Sequence, residues 1–290
     1  LPDALVQNFR YFYHSRYYKT MKENNAYILG TDTQELHRLG VQHQIWASEA
    51  HQGWNQAKFT EGHTILDLGC GPGFCSQELG YLVGAKGKVI GVDLSKTFIK
   101  HLQHIAQSHK LPIQGVVSDF NNMSLVPNSL DGMYCRWALA WLENPDEILQ
   151  KIHTALKPGG QMVIHEYYDW TTHQTQPFKP KLDRAIKAAM QSFSDSKGEI
   201  NIGRKLPQIL RDLGMRVSHI RPMLKMATAQ DVTWQWPKTF YLSYFPRLIT
   251  AGYLTHQEVA QALEELTQLE NTPGATLCCP LMVEVIAQKV

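Results

Sequence analysis

Thr64-Ile-Leu-Asp-Leu-Gly-Cys-Gly-Pro-Gly-Phe-Cys-Ser76 is the stretch on which the reading of this chain turns. Ile65, Leu66 and Leu68 form a short apolar run, the mark of a buried strand. Gly69, Gly71 and Gly73 follow at alternate positions, and then a pattern that can begin a helix. Without a Cβ, glycine lets the backbone turn sharply and approach a ligand closely, and a helix N-terminus offers its N–H groups to that ligand. The spacing excludes two common phosphate sites. A dinucleotide loop needs G-x-G-x-x-G, and Phe74 stands where the last glycine belongs; a P-loop needs Gly-Lys-Ser/Thr, which is absent.

Composition sets outer bounds. With 290 residues, core size is no obstacle, and 43% hydrophobic with 19% charged residues describes a globular protein in water. A net charge of +2 gives no case for nucleic acid or an anionic membrane as partner. Five cysteines (Cys70, Cys75, Cys135, Cys278, Cys279) lack the spacing of a disulfide framework and read as reduced thiols of a cytoplasmic protein. Cys70 and Cys75 flank the loop as small apolar fillers. Cys278-Cys279 has no second ligand pair nearby, so no metal is expected. No apolar run reaches the roughly 18 residues that span a membrane, and no signal peptide is visible.

Upstream of the loop, residues 1–30 are aromatic and basic, able either to meet phosphates or to pack tyrosines over a cleft. A helix is expected from Asp32 to His51, capped by Thr31 or Asp32, with Leu36, Leu39, Trp46 and Ala50 near helical spacing. Downstream, strands and helices alternate to residue 166, which implies a parallel sheet. Strands are expected at Val89–Val92, Ile113–Val117, Asp131–Cys135 and Met162–Ile164. Ser95 caps one helix and Pro145 opens another, and Lys157-Pro-Gly-Gly160 reads as a tight turn. Beyond Glu166 come helices around Leu182–Phe193, Leu206–Leu213 and Val259–Leu269. Strands are expected at Met215–Ile220 and Leu281–Ala287, and an aromatic run spans Trp234–Phe245.

Ligands of an open parallel sheet lie outside the carboxyl ends of its strands. Four such ends carry chemistry here. Asp67 and the glycines follow the first strand, Asp93 ends the second, Asp119-Phe120 ends the third, and Arg136-Trp137 follows the fourth. Asp93 lies about 20 residues beyond Gly73, the spacing at which an acid accepts hydrogen bonds from ribose hydroxyls. Asp119 can accept from an adenine amino group while Phe120 packs on the ring. The ligand implied is a nucleoside carrying a group other than phosphate.

Ile65 to Gly73, Val-Ile-Gly-Val-Asp-Leu-Ser95 and Leu-Lys-Pro-Gly-Gly-Gln-Met-Val-Ile164 resemble successive motifs of class I S-adenosylmethionine-dependent methyltransferases, over residues 60–166. The branch they are most similar to includes ubiquinone/menaquinone-biosynthesis and other small-molecule methyltransferases. Tyr27-Ile-Leu-Gly-Thr with Glu35, Arg38 and Gln42 is similar to an N-terminal helix of some of these enzymes. The resemblance implies an α/β, Rossmann-like seven-stranded sheet, mostly parallel, with its last strand antiparallel and inserted between strands five and six. It implies a helical cap over residues 1–59 and a methyltransferase domain over 60–290. Insertions at 167–213 and 226–272 would form a substrate lid. It also implies S-adenosyl-L-methionine as methyl donor, with Gly69, Gly71 and Gly73 along its methionine and ribose and Asp67 supporting the loop. Asp93 would hold the ribose, and Asp119 and Phe120 the adenine. Arg136 and Trp137 would border the methionine end, and Cys70 and Leu94 are placed among the contacts.

The expected reaction is in-line transfer of a methyl group to an O, C or N atom of a small, partly apolar molecule, by a monomer or homodimer. A base is needed only if the attacking group is protonated. His165 and Glu166, at the end of strand five, and His14 are the catalytic candidates, beside His51 in the cap; Tyr13 or Tyr27 could orient a substrate. A hydrogen-bonded core histidine and a capping glutamate are the alternatives for the first two. Tyr167, Tyr168, Trp170 and the run Trp234–Phe245 read equally as pocket wall or as core. Two other functions are compatible with the loop. One is methylation of RNA or a protein side chain through Arg10–Lys22 and Lys179–Lys187. The other is a non-catalytic cofactor-binding subunit.

Overall fold

A computed structural model of the chain describes residues 33–196 and 198–290. Expectations that fall on residues 1–32, among them the base His14 and the roles of Tyr13 and Tyr27, lie outside the described residues. Helix α1 (Thr33–Gln56) is longer than expected. It buries Glu35, Arg38, His43, Trp46 and Ala50, while Leu36 and Leu39 are only half-buried. The apolar spacing therefore misplaced the inward face of its first turns, because an ion pair takes that place: the Arg38 guanidinium meets both Glu35 carboxylate oxygens at 2.7 Å.

The central layer follows the expected order. Strand β1 (Thr64–Leu68), helix α2 (Phe74–Val83), strand β2 (Lys88–Asp93), helix α3 (Lys96–Ser108) and strand β3 (Ile113–Val117) are followed by strand β4 (Leu130–Arg136) and helix α4 (Pro145–Ala155). Ser95 caps α3 by accepting the Phe98 N–H at 3.2 Å, and Pro145 occupies the first turn of α4, where a missing N–H costs nothing. Strand β5 (Leu156–Asp169) runs well past the Met162–Ile164 core at both ends. Lys157–Gly160 sits inside it as an irregularity: Leu156 pairs with Leu130, and the ladder resumes at Gln161 with Gly132.

Strand β6 (Gln174–Gln176), helices α5 (Pro180–Asp195) and α6 (Leu206–Asp212), and strands β7 (Met215–Met223) and β8 (Met226–Ala227) follow. Helices α7 (Gln235–Thr250) and α8 (His256–Glu270) and strands β9 (Thr276–Cys278) and β10 (Leu281–Lys289) complete the chain. The main sheet has seven strands in the order β3-β2-β1-β4-β5-β10-β7. β10 alone runs against the direction of the other strands, inserted between β5 and β7, as the resemblance implies. A second sheet, β6-β9-β8, is antiparallel and was not foreseen, since its strands have two or three residues.

Two large cores result. One fills the side of the main sheet against α4 and α6, built on Leu66, Met133, Ile152, Met162 and Val285. The other joins α5, α7, α8, the second sheet and Trp46 of α1. Its partly buried edge includes Trp137 and Tyr167, at the ends of β4 and β5, so this helical layer meets the main sheet where ligands of such sheets lie. No helix among the described residues is long and apolar enough to cross a membrane.

Candidate functional site

The loop after β1 is held from three sides. Gly69 and Cys70 donate their N–H groups to the Val92 carbonyl at 2.9 and 3.1 Å. Asp67 is buried and accepts the Ser76 hydroxyl at 2.5 Å, which ties strand to helix α2; burial pushes its carboxyl up to about 6, against the pull of that hydrogen bond. Asp93 accepts the Gly71 N–H on Oδ2 at 2.9 Å and the Ser95 N–H on Oδ1 at 2.8 Å. Burial raises the Asp93 pKa, with its backbone hydrogen bonds acting the other way.

The three glycines do different work. A Cβ on Gly73, at φ +95, would overlap the Leu102 side chain of α3. One on Gly69 would lie 2.5 Å from Ala138 Cβ. One on Gly71, at φ +54, would meet nothing within 4 Å. Open space therefore begins at Gly71, and the other two glycines let the loop close onto its neighbours. Phe120 lies along the same edge, its ring 3.7 Å from where a Gly69 side chain would begin. Asp119, exposed beside it, caps the short turn that follows by accepting the Asn121 N–H at 2.9 Å. Leu94 is 47% exposed next to Asp93. Cys70 is buried with its thiol held well above the usual range by burial, so it packs as a small apolar group.

Arg136 reaches toward α1 rather than into open space. Its Nη2 donates to His43 Nδ1 at 3.2 Å, and the guanidinium lies 5.0 Å from the Trp137 ring centroid. Since an arginine only donates, His43 Nδ1 accepts, and His43 Nε2 is free to donate to Glu78 at 3.2 Å. His51 meets the other Glu78 oxygen at 2.9 Å, on the surface.

His165 and Glu166 are both inaccessible, 1% and 0% exposed. His165 Nε2 lies 2.8 Å from Glu284 Oε2, and its Nδ1 is 3.4 Å from the Tyr134 hydroxyl. Glu284 in turn accepts from Arg221 Nε at 3.1 Å, and Arg221 donates to Glu49 of α1 at 2.6 Å. Burial lowers the His165 pKa, so a neutral histidine hydrogen-bonds Glu284 at one end of the chain through Arg221 and Glu49 that fastens α1 to β10 and β7. Glu166 accepts the Leu139 N–H at 2.8 Å from below the turn that follows β4; burial pushes its carboxyl up to about 8, and its Oε2 has no partner among the described residues. Both side chains therefore hold structural posts, and neither lines the cavity described next.

That cavity opens beside the ends of β4 and β5. Trp137, Tyr167 and Trp236 form one wall with their rings close to parallel, at interplanar angles of 20°, 21° and 13°. Trp141, Trp170, Phe193, Phe240 and Tyr241 continue the aromatic lining, and Arg38, Gln42 and His173 are its main polar members. The aromatic run thus splits: Trp236, Phe240 and Tyr241 of α7 face the cavity, whereas Trp234, just before the helix, is core, donating its Nε1–H to Glu270 at 2.9 Å. Tyr168 points the other way from Tyr167 and is 41% exposed, as strand alternation requires. No cluster of side chains able to hold a metal ion occurs among the described residues.

Sequence reasoning missed Glu284 and His173. An acid within Leu281-Met-Val-Glu-Val-Ile-Ala287 is a usable signal, because a buried carboxylate needs a cation opposite it. His173 gave no signal in a chain with 13 histidines.

A sequence model described as a methyltransferase domain matches residues 59–222. A 2-phytyl-1,4-naphtoquinone methyltransferase of Nostoc punctiforme is 27% identical over 194 residues, covering 63% of this chain and 83% of that protein. A demethylmenaquinone methyltransferase of Desulfitobacterium hafniense is 28% identical over 152 residues, 49% of this chain and 59% of the relative. Among solved structures, geranyl diphosphate C-methyltransferase of Streptomyces coelicolor, complexed with Mg2+, geranyl diphosphate and S-adenosyl-L-homocysteine, superposes with a TM-score of 0.53 at 15% identity. The match covers 86% of this chain and 80% of that one, a likeness of fold.

Proposed function

The chain belongs to the methyltransferase family, and we propose that it moves the methyl group of S-adenosyl-L-methionine to a small, partly apolar acceptor seated in the aromatic cavity. The observation that carries this reading is the double duty of the turn after β4. Ala138 packs against Gly69 of the glycine loop, while its neighbour Trp137 lines the cavity. A ligand along the loop and a molecule in the cavity would thus meet across one residue.

The loop fits the donor. Open space at Gly71 allows a nucleoside to lie against the backbone, and Asp93 keeps lone pairs for ribose hydroxyls beyond the N–H groups it already accepts. Asp119 and Phe120 stand where an adenine edge and face would be read. The donor, when bound, supplies a methyl group already activated by a sulfonium. The chain's own residues then have to align the acceptor and exclude water, which orientation and an apolar wall accomplish. The segments that supply α5, α7 and α8 act as the substrate lid.

Three of the basic residues that could meet a larger acceptor have partners within the chain. Lys187 pairs with Asp183 at 2.8 Å, Arg184 with Glu258 at 3.6 Å, and Lys179 bonds Gln268 at 3.2 Å. Five free cysteines support the reading that the protein works in the cytoplasm, and it is proposed to do so as a monomer or homodimer; light scattering distinguishes these two states. The functional test is transfer of a tritiated methyl group from the donor to a metabolite extract, to total RNA and to a protein extract. Label in apolar small molecules is the expected outcome. Label in RNA or protein overturns the reading, as does donor binding without any turnover.

A further inference from the structure

We propose that Glu166 is a positioning residue for methyl transfer: from beneath the turn that follows β4 it holds the glycine loop and the aromatic wall in one arrangement, so that ligands at the two places bind cooperatively. The proposal rests on the methyltransferase reading above and adds how its two ligands are brought into register.

The turn faces both ways. Trp137 and Trp141, at its two ends, line the cavity, while Ala138 between them packs against Gly69. Its backbone needs outside support. Trp137 sits at φ +57, in the left-handed region, which a bulky L side chain occupies only where its surroundings hold it there. Leu139–Trp141 then form a single 3₁₀ turn, and the residue before it, Ala138, has only a methyl group where a capping side chain would accept the open N–H groups.

Strand β5 supplies what the turn lacks. The His165 carbonyl accepts the Trp137 N–H at 3.1 Å, and the next residue, Glu166, accepts the Leu139 N–H on Oε1 at 2.8 Å. The N–H groups of Ala138 and Ala140 also bond its carboxyl. Leu139 and Ala140 are buried, so their N–H groups need an acceptor from the protein itself. A carboxyl oxygen serves in the neutral form as in the ionised one. The indole N–H of Trp137 meets Met282 Sδ at 3.2 Å, which steadies the ring as the carboxyl steadies the backbone.

Coupling follows from this arrangement. One acceptor holds the backbone between Trp137 and Trp141, so a shift of the turn moves Ala138 off Gly69 and displaces both wall residues together. A ligand on the loop that keeps Gly69 against Ala138 therefore favours the same turn geometry that forms the wall. By linkage, a molecule against the wall favours the loop in return. Without the carboxyl, the buried N–H groups are left to find other partners, and the two places bind independently.

The probe is 2-methoxynaphthalene, an uncharged apolar molecule followed by its fluorescence, titrated into the intact chain with and without saturating S-adenosylhomocysteine. The wild type should bind it at least about fivefold tighter when the homocysteine compound is present, the lower end of ordinary coupling between sites. Glu166→Ala should bring that ratio close to one while each ligand still binds. Glu166→Gln, whose amide oxygen replaces the acceptor, should keep it. Ala138→Gly, which removes the methyl group that meets Gly69, should lower the ratio as well. Leu210→Ala, in the core against α6 and outside the turn, should lower the thermal midpoint and leave the ratio as it is, which separates positioning from stability. A wild-type ratio of one, or no probe binding at all, overturns the proposal whether or not the variants fold. So does a Glu166→Ala protein that keeps the wild-type ratio. Failure to bind S-adenosylhomocysteine in the same experiment would instead overturn the methyltransferase reading.

Discussion

Asp93 Oδ2 accepts the Gly71 N–H at 2.9 Å, so the acid that ends β2 closes the loop that follows β1. One side chain shapes the cradle and, on the proposed function, also meets the ribose. Asp93→Ala should therefore weaken S-adenosylhomocysteine binding by about 1–3 kcal/mol, the scale of a lost charged hydrogen bond. Unchanged calorimetric affinity would show that Asp93 serves the loop alone.

Gly71 and Gly73 should respond differently to the same substitution, one chiefly in donor affinity and the other in stability. Gly73→Ala places a methyl group in the Leu102 side chain at φ +95, and its thermal midpoint should fall by the equivalent of roughly 2–4 kcal/mol. Gly71→Ala meets open space, so only the positive φ costs it, about 1–2 kcal/mol, but the methyl intrudes on the nucleoside. It should fold and lose donor affinity. A Gly71→Ala protein with wild-type affinity would place the nucleoside elsewhere.

Glu166 makes stability depend on pH with a definite sign. Its folded pKa is raised from 4.5 to about 8, so the folded state holds more protons across that window. Stability must then fall as pH rises through it. Asp67, raised only to about 6, adds the same trend at lower pH. Between about pH 6.5 and about pH 8 the slope should therefore belong mainly to Glu166. Glu166→Gln should flatten it and raise the thermal midpoint at the alkaline end. An unaltered slope would mean the carboxyl is ionised in the folded protein.

His165 and Glu284 should behave as fasteners rather than as a base. Glu284→Ala leaves buried His165 without its hydrogen-bond partner and Arg221 with Glu49 alone, and should cost about 1–3 kcal/mol. His165→Gln should lower the thermal midpoint and leave turnover per folded molecule nearly intact. A fall of about 100-fold in kcat at unchanged midpoint would restore the base.

What the sequence made legible was local. The glycine loop, the strands ending at Asp93 and Val117 and the Ser95 cap each declare themselves within a few residues, by alternation, by turn chemistry or by a side chain that can reach its own backbone. What it hid was set by distance. Glu284 and His165 are 119 residues apart, and His173 and Tyr241 are 68 apart. In α1 the period-based reading chose Leu36 and Leu39, whereas the fold buries Glu35 with Arg38, because two opposite charges in contact can be buried together where either alone could not. The second sheet escaped notice since two or three residues are too few to show alternation. The aromatic cavity was visible only as a surplus of rings; which of them face it depends on the rotation of α7.

The open space beside Gly71 and Asp93 should bind an adenosine whose sulfur carries a transferable methyl group. The most direct test of this is calorimetric titration of the intact chain with S-adenosylhomocysteine and, separately, with a nicotinamide dinucleotide. One-to-one binding of the first, weakened by Asp93→Ala, with no heat from the second, is the predicted result. No binding of the homocysteine compound, or a preference for the dinucleotide, would contradict it.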